Sequence, residues 1–172
     1  MSDTAPTAAR TEAQTMLIAF DGSPEARRAL TYAAEFLRPR RVEILTAWEP
    51  VHRQAARAVS MSGLRQADWS PSGEGEDPAY TEARETCREG VNLAESLGLQ
   101  PRAHMVECAT SIWSAIVDAA KELRVDLIVS GTRATSGFRG FWQTSTSENV
   151  IQNCGVPVFV VPPAEEEPDA DC

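Results

Sequence analysis

The chain has 172 residues, 42% of them apolar and 24% charged, a balance that suits one globular domain with a continuous core and leaves two domains cramped. No apolar run approaches the roughly 20 residues that span a bilayer, and the opening MSDTAPTAARTEAQT lacks the basic start and apolar stretch of a secretory signal, so a cytoplasmic location without membrane contact is expected. The formal net charge is -9, but Glu165, Glu166, Glu167, Asp169 and Asp171 carry five of those charges within the last eight residues, leaving -4 for the rest; with no clustered Lys/Arg stripe in sight, DNA and RNA are set aside as partners.

Residues 1–14 and 163–172 are rich in Ala, Thr, Pro and acids without periodicity, and are expected to be disordered tails around a domain at 15–162. Met16 to Phe20 is a short apolar run that reads as the first strand. Asp21 and Gly22 then supply a turn, Ser23 an N-cap and Pro24 the first position of a helix whose Ala26, Leu30, Ala33, Ala34 and Leu37 recur at helical spacing. Val42 to Trp48 reads as the second strand, stopped by Pro50. The connection from Val51 to Pro78 is long, with room for one or two helical turns within 53–67 and a loop in its second half, marked by Pro71, Gly73 and Gly75. Tyr80, Ala83, Cys87, Val91 and Ala94 mark the next helix, which Gly98 terminates.

Arg102 to Glu107 alternates and predicts a third strand. Ser111 caps a helix carrying Ile112, Ala115, Ile116, Ala119 and Leu123 on one face. Asp126 to Ser130 shows no polar alternation, as a strand buried on both faces of a parallel sheet should. A glycine-punctuated loop from Gly131 to Gln143, a short helix from Ser145 to Asn153 and a fifth strand from Val156 to Val161 complete the chain. Pro157 cannot donate to a ladder, so this last strand should lie at a sheet edge or begin pairing beyond that residue. Its Phe159, Val160 and Val161 offer an apolar edge to a second chain. The alternation of β and α implies a doubly wound parallel α/β sheet, in which ligands bind outside the carboxyl ends of the strands where the strand order reverses.

Cys87, Cys108, Cys154 and Cys172 form no C-x-x-C pair and have no histidine nearby for a zinc site, so reduced and mostly buried thiols are expected, with Cys172 the exception on its tail. His52 and His104 are isolated and read as surface or packed residues rather than catalysts. No G-x-S-x-G elbow accompanies Thr146-Ser147-Glu148, and the first turn, DGSPEA, is not the dinucleotide fingerprint G-x-G-x-x-G; a serine hydrolase and a dehydrogenase are both disfavoured. Trp48, Trp69, Trp113 and Trp142 lack regular spacing and read as core and loop anchors.

The segment MLIAFDGSPEARRALTYAAEF resembles the first strand and helix of the universal stress protein family, and DLIVSGTRATSGFRGFWQTSTSENVIQNCGVPVFVV resembles its closing β-α-β unit. With VEILTAWEP, the resemblance covers nearly everything from Met16 to Val161. It implies a five-stranded parallel sheet of order 3-2-1-4-5, the Rossmann-like fold called adenine nucleotide alpha hydrolase-like. It also implies a homodimer through the last strand, Val156 to Val161, and a stress-response role exerted through an unidentified protein partner. The switch point then falls between the first and fourth strands, where Phe20-Asp21-Gly22-Ser23 and Gly131-Thr132-Arg133-Ala134 emerge.

Nucleotide-binding members of that family carry G-x2-G-x9-G-[ST] after the fourth strand. Here Gly131 matches the first glycine, Ala134 and Thr144 replace the second and third, and Ser145 matches the hydroxyl. Thr144, Ser145, Thr146 and Ser147 stand at a helix N-terminus, where free N–H groups and the helix dipole attract an anion, and Arg133 and Arg139 add charge. The resemblance places Asp21 near a ribose or a metal on phosphate, and the backbone at Ala47 against an adenine, so ATP or AMP is the implied ligand, with Mg²⁺ where ATP binds. Asp21-Gly22-Ser23 and the Thr144–Ser147 run also read as plain turn and capping chemistry. Phe138, Phe141 and Trp142 are expected to fill or cover the space that phosphates take in relatives. Binding rather than catalysis is the expected mode; an interaction module with a vestigial pocket, or a slow ATPase using Asp21, are the alternatives.

Overall fold

The computed structural model describes residues 14–62, 77–132 and 146–164, with residues 57–62 described by backbone alone. Within them, strands β1 (Thr15–Ala19), β2 (Arg41–Trp48), β3 (Pro101–Glu107), β4 (Leu127–Gly131) and β5 (Val158–Val161) alternate with helices α1 (Pro24–Tyr32), α2 (Val51–Ser62), α3 (Pro78–Ser96), α4 (Ile112–Glu122) and α5 (Thr146–Asn153). The strands are parallel in the order β3-β2-β1-β4-β5, the order expected above. Right-handed crossovers of this kind put helices on both faces.

Two cores follow from the two-residue period of the strands. Met16 and Ile18 of β1, with Val42 and Ile44 of β2, pack beneath Ala26, Ala29 and Leu30 of α1 and Cys87 and Ala94 of α3. Leu17 and Leu45 point the other way, against Ile116, Val117 and Ala120 of α4 and Val150 of α5. The small side chains Ala26, Ala29 and Ala33 let α1 lie close on the sheet. Local signals set the helix ends: the Ser23 hydroxyl accepts the Ala26 N–H, Pro24 opens α1, Ser111 caps α4, and Gly98 closes α3 at a φ of 80°.

Three differences from the sequence reading have physical causes. β5 starts at Val158 rather than Val156. Pro157 lends its carbonyl to the Ile128 N–H but has no N–H of its own, and β5 sits at the edge. The connection after β2 opens directly into the helix Val51–Ser62, longer than the one or two turns expected there. It is tied down by the Arg53 guanidinium, 2.7 Å from the Cys108 carbonyl and 3.1 Å from Glu107, and by the Asp77 carboxylate accepting the Val51 N–H. Third, α1 runs on through a π-helical turn, Ala33–Leu37, to Arg38 in the left-handed region. Residues 63–76 and most of the two tails lie outside the described residues. Cys87, Cys108 and Cys154 are buried and outside any disulfide. Among the described residues no helix is long and apolar enough to cross a membrane, and no acid, histidine and cysteine cluster suits a metal ion.

Candidate functional site

β1 lies between β2 and β4, with Ile18 opposite Val129 in one ladder and Ile44 in the other. The turns leaving β1 and β4 therefore face each other across one crevice, the place where an open parallel sheet accepts ligands. After Ala19 the β1 chain stays tied to β2: the Phe20 N–H donates to the Leu45 carbonyl at 2.9 Å, and the Thr46 hydroxyl donates to the Phe20 carbonyl at 2.9 Å. The Phe20 side chain is core rather than pocket, buried against the ring-side face of α3 where a Cβ on Gly90 would meet its Cδ1 at 2.8 Å. Only its backbone belongs to the crevice.

Asp21 is exposed, and its Oδ1 accepts the Ser23 N–H at 3.0 Å and the Ser23 hydroxyl at 2.5 Å. This is the turn-and-cap arrangement that its sequence spells, with Gly22 at a φ of 75°. Ala47 is half-buried on β2. Arg41 donates its N–H to Gln14 and Leu45 receives the Phe20 N–H, so the odd-numbered residues of β2 turn their backbone groups toward β1. Ala47, two residues beyond Leu45, turns the same way past the end of β1, leaving an amide and a carbonyl aimed into the crevice.

On the other side, Gly131 ends β4. A Cβ there would lie 2.5 Å from the carbonyl carbon and 2.6 Å from the oxygen of Glu25, and 2.9 Å from the Ala26 nitrogen. The first turn of α1 thus needs this glycine, whatever the crevice binds. The Gly131 carbonyl accepts the Ser147 hydroxyl at 3.1 Å and the Ser130 hydroxyl at 3.0 Å, the two hydroxyls being 3.2 Å apart. Ser147 is buried and fastens the start of α5 to the end of β4, whereas Thr146 beside it is exposed. Arg133, Ala134, Thr144 and Ser145, with Phe138, Arg139, Phe141 and Trp142, lie outside the described residues. Of the sequence-predicted site, the structure brings together the Phe20 backbone, Asp21, Ala47, Gly131, Thr146 and Ser147.

Two features escaped the sequence reading. Glu43 is buried on β2, and its Oε2 lies 2.7 Å from Nε2 of His104 on β3. His104 sits opposite Leu45 in the ladder, so the pair crosses two strands diagonally on the α4 face. A charged residue inside the run VEILTAW was the available signal, because an acid at a core position needs a partner. The second is a groove of about 160 Å³ between the end of β3 and α4. Its carboxylates Glu107, Asp118 and Glu122 oppose an anion.

The likeness to known proteins agrees with this geometry. A family model described as "Universal stress protein family" matches residues 12–162. A universal stress protein of Methanocaldococcus jannaschii is 31% identical over 86 residues, 50% of this chain and 49% of that protein, so the chain spans about half the length of that relative. Among solved structures, a universal stress protein in complex with cAMP is 25% identical at a TM-score of 0.59, covering 87% of this chain and 97% of that one. The Archaeoglobus fulgidus universal stress protein in complex with dAMP is 23% identical at a TM-score of 0.58, covering 87% and 98%. With a sheet of order 3-2-1-4-5 and a family match over most of its length, the chain belongs to the universal stress protein family and has its adenine nucleotide alpha hydrolase-like fold.

Proposed function

We propose that this protein binds an adenine nucleotide, AMP or ATP, in the crevice between β1 and β4, and that it acts through binding and partner contacts rather than catalysis. The observation that carries the reading is the backbone of Ala47, turned into the crevice past the end of β1, where it offers a donor and an acceptor to the edge of a purine. The cAMP and dAMP complexes of the similar structures support an adenine there. Asp21 stands at the ribose side of the same crevice, and is the nearest carboxylate for Mg²⁺ where ATP is the ligand. Phosphates would fall to the start of α5 and to Arg133, Ala134, Thr144 and Ser145. The purine end fits the residues present. The phosphate end carries Cβ atoms at 134 and 144 where nucleotide-binding relatives have glycine, which lowers the expected affinity.

Saturable binding of AMP in a calorimetric titration, or nucleotide absorbing at 260 nm in the acid-released supernatant of purified protein, is the expected result. A flat titration with both AMP and Mg·ATP would refute the reading. It would favour instead an interaction module whose pocket is vestigial and whose output surface is the connection from Val51 to Pro78, a reading that the substitutions Ala134 and Thr144 support. A slow ATPase would require Asp21 to hold the metal, although Ser23 already occupies one of its oxygens.

The proposal includes a homodimer through β5. Val158, Phe159 and Val160 are half-buried, and the outer side of β5 is an edge. Val160→Lys is expected to give monomers by light scattering, because a lysine at that edge opposes strand addition; an unchanged dimer would move the interface elsewhere.

A further inference from the structure

The amino-terminal ends of the strands, opposite the crevice, gather arginines that are scattered in the sequence. Arg38 and Arg40 precede β2, Arg41 opens it beside Thr15, Arg102 is the second residue of β3, and Arg124 leads from α4 into β4. All five are exposed. Among the described residues none of the five guanidinium groups makes a hydrogen bond or an ion pair. Arg38 and Arg124 hold φ values of 43° and 51°, positions at helix ends that glycine or asparagine usually fill. With Lys121, this end carries six cations against the carboxylates of Glu35, Glu95, Glu122 and Asp126, and Asp126 is already engaged by the Thr15 N–H at 3.0 Å. A basic end on a chain of net charge -9 is a strong polarity, and the absence of a Lys/Arg stripe in the linear reading does not hold for the folded sheet.

We propose that the acidic segment at residues 165–171 docks along this arginine rim of its own chain. Charge complementarity selects it: Glu165, Glu166, Glu167, Asp169 and Asp171 offer five carboxylates to five guanidinium groups that have no partner among the described residues. Arginine forks pair well with carboxylates, and several such pairs together outweigh one exposed ion pair. The reach is sufficient. Arg41 stands level with Thr15, one residue below the Met16–Leu127 pair, so the rim lies about 17 Å below the Gly131–Val161 pair along the sheet. Arg124 precedes the neighbouring strand β4, and the rim runs from there across β1 and β2 to β3, with about 4.8 Å per strand. Residues 165 to 171 follow Val161 by about 13–33 Å of extended chain, which spans that path. The docked segment removes the main acidic cluster of the chain from the mouth of the crevice, where β5 ends beside Thr132.

Cys172 is the handle for the test, because Cys87, Cys108 and Cys154 are buried. A nitroxide on Cys172 should broaden the amide signals of Arg38, Arg40, Arg41, Arg102 and Arg124 in the full chain. Glu165→Gln, Glu166→Gln and Glu167→Gln together should restore them, as should 1 M salt, where the screening length falls to about 3 Å. Broadening confined to Thr132 and Thr146 to Val150 would overturn the proposal by placing the segment at the crevice. So would rim broadening that survives neutralisation of the three glutamates. Rim broadening that appears when isotope-labelled, spin-free chains are mixed with spin-labelled, isotope-free ones would reassign the contact to a second copy. Retention of the full chain on a single-stranded oligonucleotide at physiological salt would show the rim open to nucleic acid, and would equally overturn it.

Discussion

His104→Leu should lower the stability of this protein by about 2–3 kcal/mol, and adding Glu43→Leu to that variant should recover most of the loss. Glu43 is 4% exposed, and its single hydrogen-bond partner among the described residues is His104. It lies between Leu17 and Arg102 in the ladders and on the face covered by α4. A carboxyl held there without a partner loses its solvation and gains nothing in return. Breaking a fully buried pair costs about 3–5 kcal/mol, but the His104 side chain is 29% exposed, so water relieves part of the penalty. Two leucines side by side on this face complete an apolar layer instead, and should bring stability back to within about 1 kcal/mol of the parent. Thermal unfolding checks this: the single variant should melt roughly 4–12 °C lower and the double variant close to the parent. A single variant that melts with the parent would mean that the pair is solvated and carries no weight.

That pair also marks where reading the sequence stops. Uniform apolar runs such as LIV at Leu127–Val129 and the Ser23-Pro24 signal are local, and each strand and helix they announce is present within a residue or two. The sheet order came from the family resemblance, since no periodicity states which strand lies beside which. Contacts made only by folding were invisible. Glu43 and His104 are 61 residues apart. Ser147 reaches the Gly131 carbonyl across 16 residues, a separation no local pattern bridges. Arg38, Arg40 and Arg41 are close in sequence, but Arg102 and Arg124 join them only because parallel strands all begin at the same end. Phe20 was read as part of the crevice from its place in a motif, yet strand alternation sends its ring into the α3 face.

Gly131 carries the same lesson in its sharpest form, and Gly131→Ala should cost about 2–3 kcal/mol and lower the melting temperature by roughly 4–12 °C. Read as the first glycine of a phosphate loop, its role would be to admit a ligand, and an alanine would then spare the fold while weakening nucleotide binding. The structure gives a different reason. A Cβ at 131 would press on backbone atoms of Glu25 and Ala26 at 2.5–2.9 Å, and backbone cannot rotate aside as a side chain can. Relief requires the first turn of α1 to move off the sheet, and Ala26, Ala29 and Leu30 are buried at that contact. Their loosening exposes apolar surface and strains the Ser23 cap. Gly155→Ala is the comparison: its φ is 69°, but no atom lies within 4 Å of the added Cβ, so only the backbone preference, about 1 kcal/mol, is lost. Calorimetric melting of the two variants separates the accounts. If Gly131→Ala melts as high as Gly155→Ala, the close approach of α1 is not what requires this glycine, and the ligand explanation regains its standing.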